Sequence, residues 1–71
     1  MTKTTKTRIK LLKDMHKYII NEIGDEEAYF TWITVGVPDE PQEEDFEYIA
    51  ENDSEWNDIV DIFKHICCNY R

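Results

Sequence analysis

Apolar residues recur at helical spacing in the first third of the chain. From Arg8 onward they fall three or four positions apart and share one side of a helix, opposite lysines and other polar residues. These apolar positions are Ile9, Leu12, Met15, Ile19, Ile20 and Ile23. Gly24 then supplies the left-handed residue that commonly closes a helix. The pattern predicts a first helix over about residues 8–23, preceded by a Thr- and Lys-rich, frayed N-terminus over residues 1–7.

The last part of the chain shows the same periodicity. Its apolar residues fall on one broad face, and Asn57, Asp58, Asp61 and Lys64 fall on the other. The apolar face consists of Trp56, Ile59, Val60, Phe63, Ile66, Cys67 and Tyr70. This pattern predicts a second long helix over about residues 54–70.

The stretch over residues 28–37 fits two structures. It is rich in residues that favour strands, and residues 46–50 offer a weak partner strand, which would give an α+β fold with a small hairpin covered by two helices. The flanking residues favour a helix instead, because Asp25 can cap its start and Gly36-Val37-Pro38 can end it. In that helix Tyr29, Trp32 and Ile33 form the buried stripe, and we take the helix as the prediction.

A third helix is expected to begin at Pro41, a residue suited to a first helical position. Phe46, Ile49 and Ala50 line its apolar face, and Asn52-Asp53 separates it from the last helix. The fold class predicted is therefore all-α. It is a compact four-helix arrangement with two longer outer helices and two short middle ones, forming a single domain over residues 8–71.

Charge divides the chain into two blocks. The first 21 residues carry six bases and one acid, whereas the fifteen acids between Glu22 and Asp61 have no Lys or Arg among them, and the net charge is −8. Such a field favours a protein partner with a basic, nucleic-acid-binding surface and disfavours direct contact with nucleic acid. The expected contact residues are Glu40, Glu43, Glu44, Glu47, Glu51, Glu55 and Asp58. An acidic face that serves only solubility is the competing interpretation.

Two other features bear on association. The bases of the first helix can offset the acidic half within one molecule or across a homodimer. Phe30, Tyr48 and Ile62 do not fit the buried stripes of their helices and could form an exposed patch for a partner or a second copy. A homo-oligomeric structural or accessory protein without catalytic activity is therefore the alternative hypothesis.

Candidate catalytic and metal-binding groups are few. Asp61, His65 and Cys68 share one side of the last helix but lack the paired spacing typical of structural zinc sites, and no calcium-loop or phosphate-loop pattern occurs. We expect no enzymatic activity, no metal and no cofactor. The adjacent Cys67 and Cys68 cannot readily form a disulfide, and no apolar run approaches a membrane span or a secretory signal. These features predict a cytoplasmic protein, with no membrane contact.

Several short segments resemble small acidic proteins of Gram-positive phages, prophages and other mobile elements. The segments lie between Gly24 and Ile66, about two thirds of the chain. They are Asp25–Glu27, Tyr29, Trp32, Gly36–Asp39, Glu44–Phe46, Ile49–Ala50 and Trp56–Phe63. The resemblance implies a bacterial host and a protein that binds and inhibits a host or defence protein, or a helper subunit of replication or packaging. It assigns no functional residue.

Overall fold

The structure, a computed structural model, describes residues 2–70. Met1 and Arg71, which the predicted segments 1–7 and 8–71 include, lie outside the described residues. The helices are α1 (Lys3–Tyr18), which continues into a π-helical turn (Ile19–Ile23), then α2 (Glu26–Thr34), α3 (Glu43–Glu51) and α4 (Asp53–Asn69). The predicted all-α arrangement of four helices is confirmed. The α+β alternative is wrong, because residues 2–70 contain no strand.

Helix α1 begins at Lys3, five residues earlier than the predicted start at residue 8. The physical reason is the N-cap: the Thr2 hydroxyl oxygen accepts a hydrogen bond from the Thr5 backbone N–H at 3.1 Å. Thr5 is itself buried, with 7% of its surface exposed. The first turn is therefore part of the packed domain.

The first helix ends where the sequence predicts, but through a wider turn. Gly24 adopts a left-handed conformation with φ of 62°, and its N–H donates to the carbonyl of Ile19 at 3.0 Å, which closes the π-helical turn. Ile19 takes the core position and is fully buried. Ile20, which the spacing assigned to the core, is instead 46% exposed.

Residues 26–34 form a helix because its two ends are well specified. The Asp25 carboxylate accepts from the backbone N–H groups of Glu27 and Ala28 at 2.9 and 3.2 Å. At the other end Gly36 has φ of 131° and donates to the Ile33 carbonyl at 3.3 Å, and Val37 turns back into the core.

Helix α3 starts at Glu43 rather than at Pro41, so the predicted role of Pro41 is wrong. Its N-cap is Gln42, whose backbone N–H donates to the Asp45 carboxylate at 2.8 Å. Asn52 ends α3 and also caps α4, because its side chain accepts from the Glu55 N–H at 3.2 Å. A single residue therefore joins the two helices.

The order in which the helices pack around the core differs from their order along the chain. Helix α1 packs mainly on α3, α3 on α4, α4 on α2, and α2 on the π-helical turn that follows α1. Trp32 is fully buried at the centre, and its ring lies 6.0 Å from that of Phe63 in an edge-to-face arrangement. The other fully buried large side chains are Leu12, Ile19, Ile59, Ile66 and Val37.

Candidate protein-binding surface

The outward face of α3 carries three of the expected contact residues. Glu44, Glu47 and Glu51 lie three and four positions apart, so they share one side of the helix, opposite the buried Phe46 and Ile49. Glu44 and Glu51 are exposed, and Glu47 is half-buried. No Lys, Arg or His of residues 2–70 lies within ion-pair distance of these three carboxylates. We call Glu44, Glu47 and Glu51 the α3 acidic face.

Glu43 belongs to a different environment. Its carboxylate lies 2.6 Å from the ammonium of Lys13, on the side of α3 that packs on α1. The pair is only partly shielded from water, since 43% of the Lys13 side chain and 58% of the Glu43 side chain are exposed. Glu43 is therefore already engaged within the molecule.

Glu55 and Asp58 lie on the side of α4 that faces α2. A Glu55 carboxylate oxygen lies 3.5 Å from the place a β-carbon at Gly36 would occupy, just past the end of α2. Asp58 borders a shallow concavity together with Val35, the residue that directly follows α2. Glu40 is exposed in the connection between α2 and α3. The seven expected residues are therefore spread over two helices and a loop, and three of them share one face of α3.

Arg8 makes three contacts that the sequence pattern does not predict. Its guanidinium donates to the Asp53 carboxylate at 2.7 Å and to the Ala50 carbonyl at 3.1 Å, and it lies 5.0 Å from the centre of the Trp56 ring. One side chain thus ties α1 to the joint between α3 and α4. With the Lys13–Glu43 pair, this contact shows that α1 offsets part of the acidic charge inside the molecule.

His16 is a second residue whose contacts the sequence pattern does not predict. Its Nδ1 accepts a hydrogen bond from the Trp32 indole N–H at 3.1 Å, and its ring centre lies 6.2 Å from that of Tyr29. Burial lowers the pKa of His16 below its ordinary value of 6.5, and the negative charge of Asp39 opposes this shift in part. Helical spacing does indicate that His16 is partly buried, because it falls between Leu12 and Ile19 on the buried stripe of α1.

Tyr29 fastens the connection between α2 and α3. Its hydroxyl donates to the Asp39 carboxylate at 2.6 Å and lies 2.8 Å from the Asp39 backbone carbonyl. The hydrogen bond to the Asp39 carboxylate, with burial and nearby negative charge, raises the pKa of Tyr29 to about 12.

Two of the three hydrophobic residues that the sequence predicts to be exposed are exposed. Phe30 and Tyr48 are 66% and 63% exposed, as the sequence predicts, but Ile62 is half-buried against the core. Phe30 borders an open concavity of about 530 Å³ together with Ile20, whereas Tyr48 projects from α3. The expectation of a joint surface with Ile62 is therefore wrong.

Groups that could bind a metal are dispersed. Within residues 2–70, no three His, Cys, Asp or Glu side chains come close enough to hold an ion. His65 contacts Asn69, whose side-chain amide lies 3.3 Å from His65 Nδ1. Cys67 is half-buried, Cys68 is exposed, and both are free thiols.

Comparisons with protein-family models, curated proteins and solved structures found no match to this chain. No helix among the described residues is both long enough and apolar enough to cross a bilayer.

Proposed function

We propose that the protein is a small acidic protein-binding module whose α3 acidic face contacts a basic surface on a partner. The observation that supports this proposal is the absence of any described cation within ion-pair distance of Glu44, Glu47 and Glu51, although α1 carries bases nearby in the fold. Carboxylates in this state keep their full charge available for another molecule. Complementary charge accelerates encounter and gives selectivity between partners.

The cost of the arrangement supports the same proposal. Glu47 and Glu51 lie four positions apart on one helix, and a like-charge pair of this kind destabilises a helix by about 0.2–0.5 kcal/mol. A domain of 71 residues has a small stability margin. The packing of α3 does not require this repulsion, because α3 buries Phe46, Ile49 and Ala50 on its other side.

The class of partner follows from the charge and from the resemblance described above. Lys- and Arg-rich grooves occur in proteins that handle nucleic acids, and a protein of net charge −8 suits such a groove better than it suits nucleic acid itself. We accordingly propose an inhibitor or modulator of a nucleic-acid-handling host or defence protein. In this proposal the source is a phage or mobile element, the setting is the bacterial cytoplasm, and no enzymatic activity or cofactor is involved.

The test is affinity capture from bacterial lysate, followed by mass spectrometry, with two variants of equal net charge. One variant, Glu44→Lys with Glu51→Lys, reverses charge on the α3 acidic face. The matched control, Asp14→Lys with Asp61→Lys, reverses two exposed carboxylates outside the seven expected contact residues. The proposal predicts that the first variant loses the captured partner and that the control retains it.

Salt provides the second measurement. Raising the salt to about 0.5 M shortens the Debye length to a few ångströms and should release the partner from the unaltered protein. Binding that survives both salt and the α3 substitutions would contradict the proposal. Equal loss of binding in both variants would also contradict it, because net charge rather than the α3 acidic face would then control binding.

A further inference from the structure

The concavity beside Phe30 combines exposed apolar surface with acidic residues. Phe30 is the most exposed of the large hydrophobic side chains described, and Ile20 is 46% exposed beside it. Asp25 and Glu26 border the same concavity of about 530 Å³. An exposed aromatic side chain with an adjacent recess and a charged border is typical of a protein–protein contact.

A stripe of lysines on α1 ends three residues before Ile20, which borders this concavity. Lys6, Lys10, Lys13 and Lys17 are spaced four, three and four positions apart, so they follow one side of the helix, and Ile20 comes three residues after Lys17. Lys13 is paired with Glu43, but no carboxylate of residues 2–70 lies within ion-pair distance of the other three. Charge on this surface therefore changes from positive to negative across Ile20 and Phe30.

We propose that this surface is the interface of a homodimer, with Phe30 and Ile20 of two copies meeting at a two-fold axis. A two-fold axis places each surface against itself in the reversed direction. The lysine end of one copy then faces the acidic border of the other, so Lys17 lies opposite Glu26 in both halves of the interface. A second copy of this chain supplies both the apolar group and the charges that the surface lacks.

The size of the surface is compatible with this partner. A stable interface buries about 800 Å² on each side, which is roughly a sixth of the 4829 Å² surface of this protein. The concavity alone is smaller than that, but the lysine stripe from Lys6 to Lys17 extends the surface by about 16 Å along α1, at 1.5 Å per residue. This surface is separate from the α3 acidic face, so the homodimer does not depend on the proposed function.

The first test compares two exposed aromatic residues by sedimentation velocity at about 0.15 M salt, where the Debye length of about 8 Å limits repulsion between the two negatively charged copies. Phe30→Ser should raise the dimer dissociation constant at least about tenfold, since each copy loses an aromatic ring that the interface would bury. Tyr48→Ser is the matched control, because Tyr48 is almost equally exposed on α3 and should leave the constant unchanged.

Two outcomes of this test would overturn the proposal. A protein that stays monomeric up to about 1 mM does not use the surface for self-association, and the concavity would then belong to a different polypeptide. Loss of the dimer in Tyr48→Ser but not in Phe30→Ser would place the interface on α3 instead.

The second test exchanges the charges. Lys17→Glu and Glu26→Lys should each weaken self-association, and an equimolar mixture of the two variants should form a heterodimer as readily as the unaltered protein forms its dimer. Glu26→Lys also reduces the net charge from −8 to −6, which by itself would strengthen association. Stronger self-association of Glu26→Lys, or a mixture with no more dimer than the separate variants, would refute the pairing.

Discussion

The indole N–H of Trp32 donates to Nδ1 of His16 across 3.1 Å, so the largest fully buried side chain depends on a histidine for its hydrogen bond. Nδ1 can accept this bond only when the imidazole is neutral. The same contact therefore satisfies the indole N–H of the core and makes that core sensitive to protonation.

Acid should destabilise the protein through His16. Because the pKa of His16 is lowered in the folded state, the unfolded chain binds the proton first as the pH falls below about 6.5. The contribution of His16 is complete above pH 6.5 and is lost between that pH and the folded-state pKa. The measurement is the difference in free energy of unfolding between the unaltered protein and His16→Gln, from pH 8 to 5. His16→Gln keeps an acceptor for Trp32 but does not titrate, and parallel pH curves for the two proteins would contradict the prediction.

The two ion pairs of α1 should differ in their effect on stability. Arg8→Met should destabilise the protein by about 1–2 kcal/mol, because it removes two hydrogen bonds and the contact with Trp56 at the joint of α3 and α4. Lys13→Gln should cost no more than about 0.5 kcal/mol, because the Lys13–Glu43 pair is largely exposed. Urea unfolding of both variants checks this order, and a larger loss in Lys13→Gln would show that the order is wrong.

Alkali should act through Tyr29. The pKa of Tyr29 is raised from its ordinary 10.0 to about 12, so the unfolded chain loses this proton first, and stability should fall as the pH rises from about 10 towards 12. Spectrophotometric titration should show one phenol near pH 12 that is missing in Tyr29→Phe. Asp39→Asn, which removes the neighbouring negative charge, should bring that titration closer to pH 10.

The two glycines should respond differently to alanine. Gly36 has φ of 131°, a region almost confined to glycine, so Gly36→Ala should destabilise the protein by about 1–3 kcal/mol. Gly24 has φ of 62° and no close neighbour for a new side chain, so Gly24→Ala should cost about 1 kcal/mol and Gly24→Asn less. Thermal or urea unfolding of the three variants measures this order, and an equal cost for all three would contradict it.

Helix content was predictable because the apolar spacing and the caps agree. Asp25, Gly24 and Asn52 end or begin helices as their residue types indicate. Apolar spacing does not indicate the start of α1, because its first turn has no apolar residue, and the Thr2 cap is recognised only from its hydrogen bond to Thr5. Proline suits the first position of a helix, which favours Pro41 there, yet α3 begins at Glu43 and Gln42 is its N-cap residue.

The candidate surface was predictable only in part. Periodicity indicates that Glu44, Glu47 and Glu51 share a side of α3, but it does not reveal which neighbouring helix each side meets. Glu43 pairs with Lys13 because α3 packs on α1, and Glu55 lies beside Gly36 because α4 packs on α2. Two of these contacts, α1 with α3 and α2 with α4, join helices that are not adjacent in the chain, so spacing along the sequence could not predict them.

Arg8 and Lys13 are held by ion pairs inside the fold, whereas the remaining lysines of α1 and the α3 acidic face are not. Opposite charges are thus kept apart on a rigid body, which gives the molecule an electric dipole moment in addition to its overall charge. Such a body is turned by the field of a charged neighbour before contact, at separations up to about one Debye length, which is about 30 Å at 0.01 M salt. The orientation in which it arrives is therefore biased before any side chain touches.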